Sequence, residues 1–546
     1  MMLLVVMFIL QIGSSWSESQ TIDEAVHLTA GYSYLTTGDY RLNPEHPPLI
    51  KMFSALPLLA LDLTFDTSSS DWQSAEQWSF SRSFIYENTV PGELLLQLGR
   101  VPNMLLSLLL GWVIFSLTRS FFGPKAGLLA LTLYVFDPLF LAHSHYVTTD
   151  TGAALFFLLT VFSWYRYLRS YKRSDLINSA LFFALAQVTK FSAVVLLPIL
   201  IILFFIARWQ ARLTPPDLIK KNVDKGRSFP RFSLWSLGWA VAVLAVATLL
   251  LALVLYRESI GSYLAGLQYV RWHNATGHTA FLFGEYSTTG WWYYFPSAWL
   301  VKTPLATVIL LLFTFIAWIK KSVTTFILRK QSSNSFWKNF IVHLRNQPLL
   351  FYTLFIPPLI YVLWSMTSHI NLGVRHLSVI YPFIFIAIST LALLQLQRWQ
   401  RWWQVVLFSL LAVYVSMSLY TYPRYISYFS ELVGGSHQGY KYLLDSNLDW
   451  SQSFYYLRDF LRQRGWQHET IFLATLTTSD PRTYDISWQS FPPEAKNATS
   501  LSQLPPGIYV LAASYSLTGD MSLQWLLDQY PREQVGDAFF VYDLRQ

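Results

Sequence analysis

Apolar runs the length of a bilayer recur along this chain, and they limit what it can fold into. Crossing a membrane's hydrocarbon core takes about 20 helical residues. Stretches of that order lie near 94–118, 126–142, 151–168, 176–190, 191–207, 234–256, 298–318, 349–366, 377–397 and 403–420. Of the 546 residues, 53% are apolar and 13% charged, the latter about half the roughly 25% usual in soluble domains. One water-soluble core cannot absorb that excess, which excludes a soluble enzyme, a disordered chain and a fibrous one. The chain reads as a polytopic α-helical membrane protein. It has no cysteine, so a disulfide framework, a thiolate metal site and a cysteine nucleophile are excluded as well.

The pair of stretches between 176 and 207 is short and is read as two spans rather than one bent span. Met1–Ile12 is apolar but lacks the basic start of a signal peptide. It is read as a shortened first membrane helix, which gives about 11 spans. Basic residues then set the sidedness. The 208–232 loop carries Arg208, Arg212, Lys220, Lys221, Lys225, Arg227 and Arg231 against Asp217 and Asp224. The 319–347 loop has Lys320, Lys321, Arg329, Lys330, Lys338 and Arg345 and no acid, and Arg166, Arg169, Lys172 and Arg173 follow another span. By the positive-inside rule these are cytoplasmic. The opposite face receives 16–93, 257–297 and everything after 420. The expected division is a transmembrane module, 1–420, and an extracytoplasmic C-terminal domain, 421–546. That tail holds 9 basic and 13 acidic residues in a chain whose overall charge is +8. The basicity is therefore an orientation signal and no argument for nucleic acid. Within the tail, Phe454, Leu457 and Leu461 recur at helical spacing up to Gly465, and Thr470–Leu476, Gly507–Ala513 and Phe539–Leu544 look like strands. The tail reads as a small α/β unit.

Ionisable residues gather at the same outer face. Thr21-Ile22-Asp23-Glu24-Ala25 follows the first span. Adjacent helical positions point about 100° apart, so Asp23 and Glu24 cannot easily grip one atom together. One can face a cavity as a base while the other bonds the backbone or a neighbouring helix; helix capping and solvated charge are the plain structural account. Asn43-Pro44-Glu45-His46-Pro47-Pro48-Leu49 fixes His46 just before a proline-launched helix. Arg100 and Lys190 sit at the outer ends of spans, where a cation snorkels, pairs or serves an anion. Asp150 closes His143-Ser144-His145-Tyr146-Val147-Thr148-Thr149-Asp150. It either caps a helix or joins the two histidines on a divalent metal. Gly284-Glu285-Tyr286-Ser287 leads into Trp291-Trp292-Tyr293-Tyr294-Phe295, an interfacial aromatic anchor or a stacking surface for a sugar or isoprenoid. Arg375 and His376 form a further cation pair in Asn371-Leu372-Gly373-Val374-Arg375-His376.

Together, an external Asp-Glu after the first span, a His-Pro-Pro-Leu launch and a Gly-Arg at the second span resemble the GT-C membrane glycosyltransferases. More narrowly, the chain resembles bacterial relatives of the protein O-mannosyltransferases and of the aminoarabinose transferase, a glycosyltransferase family 39-like group. The Gly-Glu-Tyr-Ser…Trp-Trp-Tyr-Tyr-Phe stretch, Asn-Leu-Gly-Val-Arg-His and Asp445-Ser446-Asn447-Leu448-Asp449-Trp450 resemble a bacterial subgroup with an extracytoplasmic tail. The resemblance implies a GT-C-like bundle in the cell (inner) membrane with its active site on the extracytoplasmic side. It also implies a donor made of one sugar on a polyprenyl phosphate, and a protein, lipid or glycan as acceptor. Asp23 is then the general base of an inverting displacement. Arg100, Lys190 and Arg375 stabilise the leaving phosphate, and Glu24, His46 and Asp150 position the acceptor or hold the loops. Glu285 and His376 complete the substrate-binding set. A phosphate clamped by side-chain cations needs no metal, so no cofactor is expected. The tail is expected to recognise the acceptor or cover the cleft, so that its removal impairs acceptor use more than donor binding. A transporter or lipid flippase is the main alternative, although such proteins place ionisable groups near the midplane. A non-catalytic envelope assembly protein is the other.

Overall fold

A computed structural model describes residues 1–211, 233–257, 259–328, 347–394, 400–529 and 532–545. Most of the basic residues that set the sidedness lie outside them, namely Arg212, Lys220, Lys221, Lys225, Arg227, Arg231, Arg329, Lys330, Lys338 and Arg345. Among the described residues, six helices are long and apolar enough to cross a membrane: Gly92–Phe122, Phe191–Ala211, Leu234–Tyr256, Leu305–Thr324, Val374–Leu393 and Gln400–Thr421. The other expected spans fold as helices that are shorter, interrupted or more polar. Met2–Ser17 has 16 residues. The 126–142 stretch becomes two helices, Pro124–Val135 and Pro138–His143. The break falls at Asp137, whose carboxylate accepts from the Leu139 N–H at 3.0 Å and caps the second piece. Arg173–Gln187 and Phe191–Ala211 are separate helices, as read.

The 16–93 segment is itself helical where it matters. Glu24–Thr36 and Pro48–Ala55 cross at backbone contact, because Gly31 has no side chain; a Cβ there would stand 2.0 Å from the Lys51 carbonyl oxygen. Pro47 is extended and Pro48 opens the second helix, as a proline at the first turn should. Lys51, buried beneath this crossing, donates to Tyr34 Oη, to both oxygens of Asn43 and to the His46 carbonyl over 2.6–3.1 Å. Burial lowers its ammonium to about 7 against the pull of Glu45. The 43–46 turn is thereby fixed to the helix that follows it.

In the tail, the Phe454–Gln463 helix buries Phe454, Leu457 and Leu461 and stops before Gly465. It lies on a five-stranded sheet of order β4-β3-β5-β7-β6: β3 Ile471–Ala474, β4 Trp488–Gln489, β5 Ile508–Ala512, β6 Glu533–Val535 and β7 Phe539–Asp543. β3 runs parallel to β4 and β5, whereas β7 is antiparallel to β5 and β6. The expected strands form; β4 and β6, at two and three residues, are edges too short to carry a sequence period. β5 is buried along its length with two-residue alternation. Ile508, Val510 and Ala512 pack with the 454–463 helix, while Tyr509 and Leu511 join the apolar core that runs through the membrane helices. The 257–297 segment forms a helix, Ile260–Thr276, and a hairpin of β1 Ala280–Leu282 and β2 Glu285–Ser287. That hairpin meets the tail through Phe283 N–H to the Tyr442 carbonyl at 3.0 Å and Tyr286 Oη to Ser516 Oγ at 2.7 Å.

Candidate active site

The two loop carboxylates are separated as their helical spacing requires. Glu24 turns inward, and Arg100 grips it in a fork, Nε–Oε1 2.8 Å and Nη2–Oε2 2.7 Å, with both side chains at most 1% exposed. The remaining guanidinium donors go to the carbonyls of Ser15, Glu18 and Ser19 at 2.8–3.2 Å. Glu24 also accepts from the Thr21 and Val147 N–H groups. Burial raises the pKa of Glu24, but Arg100 and the two N–H donors outweigh it and hold the carboxyl below its ordinary value. Beside this pair, buried Glu18 accepts from Tyr146 Oη at 2.6 Å and faces His145 Nε2 at 3.0 Å. Arg100, expected to meet the leaving phosphate, is saturated by Glu24 and by the backbone, and Glu24 takes the loop-holding one of its two expected roles.

Asp23 turns the other way. Its side chain is 24% exposed, and Oδ2 lies 3.4 Å from Arg375 Nη2. Arg375 Nη1 lies 3.5 Å from Asp150 Oδ2, and Asp150 Oδ1 accepts from Lys190 Nζ at 2.5 Å. Asp23, Asp150, Lys190 and Arg375, which are far apart in sequence, thus form one chain of alternating charge. His27 stands one helical turn after Asp23, a spacing that was there to be read and was missed. Its Nδ1 faces the Val147 carbonyl at 2.7 Å, and its ring meets that of His46 edge-on at 5.1 Å. Burial lowers both imidazoles below their ordinary pKa, His46 strongly; Asp23 partly opposes the shift at His27, and Lys190, Lys51 and Arg375 deepen it at His46. His143 and His376 each keep one buried ring nitrogen without a partner among the described residues.

The tail reaches this cluster. Arg375 Nε donates to Ser446 Oγ at 3.1 Å, and its guanidinium lies 4.0 Å over the Trp450 ring. Asn447 Oδ1 accepts from the Val374 N–H at 2.9 Å. Two further expectations separate from the site. Glu285 is exposed on β2, and among the described residues no contact joins it to the cluster. No three histidine, aspartate or glutamate side chains come together as metal donors among them either; His145 of the His143/His145/Asp150 set is turned to Glu18 and the Leu141 carbonyl.

Two cavities are present among the described residues. An apolar crevice of about 310 Å³ is lined by Leu377, Ile380, Phe383 and Ala387 on one side and by Trp299, Phe315 and Leu354 on the other. A polar cleft of about 390 Å³ lies behind Arg100, between Glu18, Glu93, Tyr456 and Asp459.

Comparison with curated proteins returns no match. Among solved structures, the chain is similar to ArnT from Cupriavidus metallidurans bound to undecaprenyl phosphate, at 12% identity and a TM-score of 0.48 over 99% of this chain and 97% of that one. The apo form of that protein gives the same identity and TM-score over 98% and 95%. The archaeal oligosaccharyltransferase AglB from Archaeoglobus fulgidus, in complex with an inhibitory peptide and a dolichol-phosphate, is 14% identical with a TM-score of 0.39 over 96% and 71%. The resemblance carried by the motifs has its independent counterpart in the sequence itself: residues 94–216, which include Arg100, Asp150 and Lys190, match the family model described as dolichyl-phosphate-mannose-protein mannosyltransferase.

Proposed function

We propose that the chain is a membrane glycosyltransferase that moves a single sugar from a polyprenyl-phosphate carrier to an acceptor hydroxyl on the extracytoplasmic face. The observation that carries this reading is Asp23, a partly exposed carboxylate 3.4 Å from a cation that also faces Asp150 and Lys190. Asp23 takes the acceptor's proton as the acceptor oxygen attacks the anomeric carbon from the side opposite the phosphate. The bond from that carbon to the phosphate oxygen breaks, and its electrons stay with the phosphate, which gains one negative charge. Arg375 and Lys190 are the groups placed to stabilise that charge. Asp150 aligns the two cations, while Arg100 and Glu24 hold the loop that presents Asp23. His46 and His376 border the sugar. The apolar crevice lined by Leu377, Ile380 and Phe383, on the segment that also carries Arg375, suits the isoprenoid. The carrier cannot leave the membrane, which is why the enzyme is a helical bundle in the inner membrane, with the 421–546 domain on the extracytoplasmic side. No metal is required, and turnover persists in chelator. The acceptor is a hydroxyl of a protein, a lipid or a glycan.

The test is release of free polyprenyl phosphate, followed by mass spectrometry, from the protein in lipid with a panel of polyprenyl-phosphate sugars and membrane extract. Release by wild type and not by Asp23→Asn is the expected result. Carrier that crosses the bilayer uncleaved would point to the flippase reading and overturn this one.

A further inference from the structure

The segment Ser446–Phe454 touches both working sides of the pocket at once. On one side it pairs with the loop that carries Asp23. The Trp450 carbonyl accepts from the Ile22 N–H at 3.1 Å, the Gln452 carbonyl accepts from the Ser19 N–H at 3.0 Å, and Ser19 Oγ donates to the Ser451 carbonyl at 2.8 Å. On the other side it grips the turn that carries Arg375. Ser446 Oγ donates to the Leu372 carbonyl at 3.0 Å while accepting from Arg375 Nε. Gly373 admits this contact, because a Cβ there would stand 2.3 Å from Ser446 Oγ. Trp450 belongs to both halves. Its backbone holds the residue before Asp23, and its indole, 2% exposed, lies under the Arg375 guanidinium. A flat cation with one face on an indole and Nε tied to a hydroxyl keeps its Nη edge directed at Asp23 and Asp150.

We propose that Trp450 is a positioning residue that fixes Arg375 against Asp23, so that the tail completes the donor-phosphate site instead of serving the acceptor alone. This rests on the glycosyltransferase reading above. It reverses the expectation that removing the tail impairs acceptor use more than donor binding, because a chain ending near 425 loses both Trp450 and Ser446.

The experiment uses the full-length protein in lipid nanodiscs with a long-chain polyprenyl monophosphate as the probe. Its Kd is measured for wild type, Trp450→Phe, Trp450→Leu and Ser446→Ala, each checked for a cooperative melt. Phenylalanine retains a π face, whereas leucine fills space without one. The expected order is wild type, then Trp450→Phe within about threefold, then Trp450→Leu weaker by about tenfold or more. In turnover, Trp450→Leu should raise the donor KM more than it lowers kcat. Should Trp450→Leu fail to fold, Ser446→Ala carries the test: it removes the acceptor of Arg375 Nε and should weaken binding about threefold to fivefold. Equal Kd for the phenylalanine and leucine variants would reduce Trp450 to a space-filler and overturn the inference. So would unchanged binding by Ser446→Ala if it is the variant tested. A wild type that binds no polyprenyl phosphate would instead remove the donor reading on which the inference stands.

Discussion

Two ion-pair systems meet at the adjacent residues Asp23 and Glu24, built from the same kinds of residue and finished differently. In one, Arg100 and Glu24 are bidentate at 2.7–2.8 Å and buried, with the spare guanidinium donors spent on backbone carbonyls. In the other, Arg375 reaches Asp23 and Asp150 only at 3.4 and 3.5 Å, beyond the 2.7–3.2 Å of a good N–H···O bond, and Asp23 is partly exposed. A saturated pair has no hydrogen-bonding capacity left for a ligand and acts as scaffold. A guanidinium whose carboxylate contacts are this long keeps donor capacity that a phosphate can take up. The charges alone do not make the distinction; the bond lengths and the remaining donors do.

Neutralising one acid on each side tests that contrast most severely. Asp23→Asn should lower turnover by about 10²–10⁴, the usual loss with a general base, while the melting midpoint stays close to wild type because the side chain is partly exposed. Glu24→Gln should do the opposite, removing about 3–5 kcal/mol of stability by leaving the buried Arg100 charge unpaired. Thermal melts beside turnover of the folded fraction separate the two. A Glu24→Gln protein as stable as wild type but inactive would break the comparison.

Replacing each arginine by lysine sharpens it further. Lysine keeps the charge but loses the fork. Arg100→Lys should cost about 2–3 kcal/mol, since Glu24 and the carbonyls of Ser15, Glu18 and Ser19 cannot all be satisfied by an ammonium. Arg375→Lys should cost less stability than Arg100→Lys and lower turnover by about 10², the low end of the loss for a removed stabilising donor. Equal destabilisation by both would mean that Arg375 is scaffold too.

How far this contrast was readable in the sequence follows from what fixes it. Helical spacing already required Asp23 and Glu24 to part, and the family match over 94–216 agrees with the resemblance drawn from the motifs. Which of the two faces inward was not readable, because that depends on Arg100 arriving from a helix 76 positions away in sequence. For the same reason Arg100 passed as a phosphate ligand: an arginine at a span's end looks alike whether its donors are free or taken. Glu18 and His27 were missed although they flank the Asp-Glu pair, Glu18 because nothing local marks a carboxylate that a tyrosine and a histidine from residues 145–146 will cover. Trp450 ends the Asp445–Trp450 motif, where nothing local marks its role, since its partner Arg375 lies in another segment altogether. Local periodicity found the tail's helix and its three longer strands, and had nothing to work on in the two short edges.

The gentlest test reads the pH dependence of stability. His27 and His46 are buried and held below their ordinary pKa. An unfolded chain takes up these protons near pH 6.5 and the folded one only at lower pH. Across that interval the unfolded state binds more protons, so stability falls as pH drops below about 6.5. The contribution is fully present above that value and lost as pH passes down through the folded pKa. Asp23 moderates the shift at His27, because its carboxylate favours the imidazolium while burial, Lys51 and Arg375 disfavour it. Asp23→Asn removes the one nearby charge that helps His27 accept a proton, so its folded pKa should fall further and the acid side of the stability profile should steepen. Melting midpoints from pH 7.5 to 5 for wild type and Asp23→Asn measure the difference, expected to be under about 1 kcal/mol at the acid end for a group this close to the pocket mouth. No change in slope would mean that Asp23 and His27 do not sense each other, and they would then be two separate sites instead of one electrostatic unit.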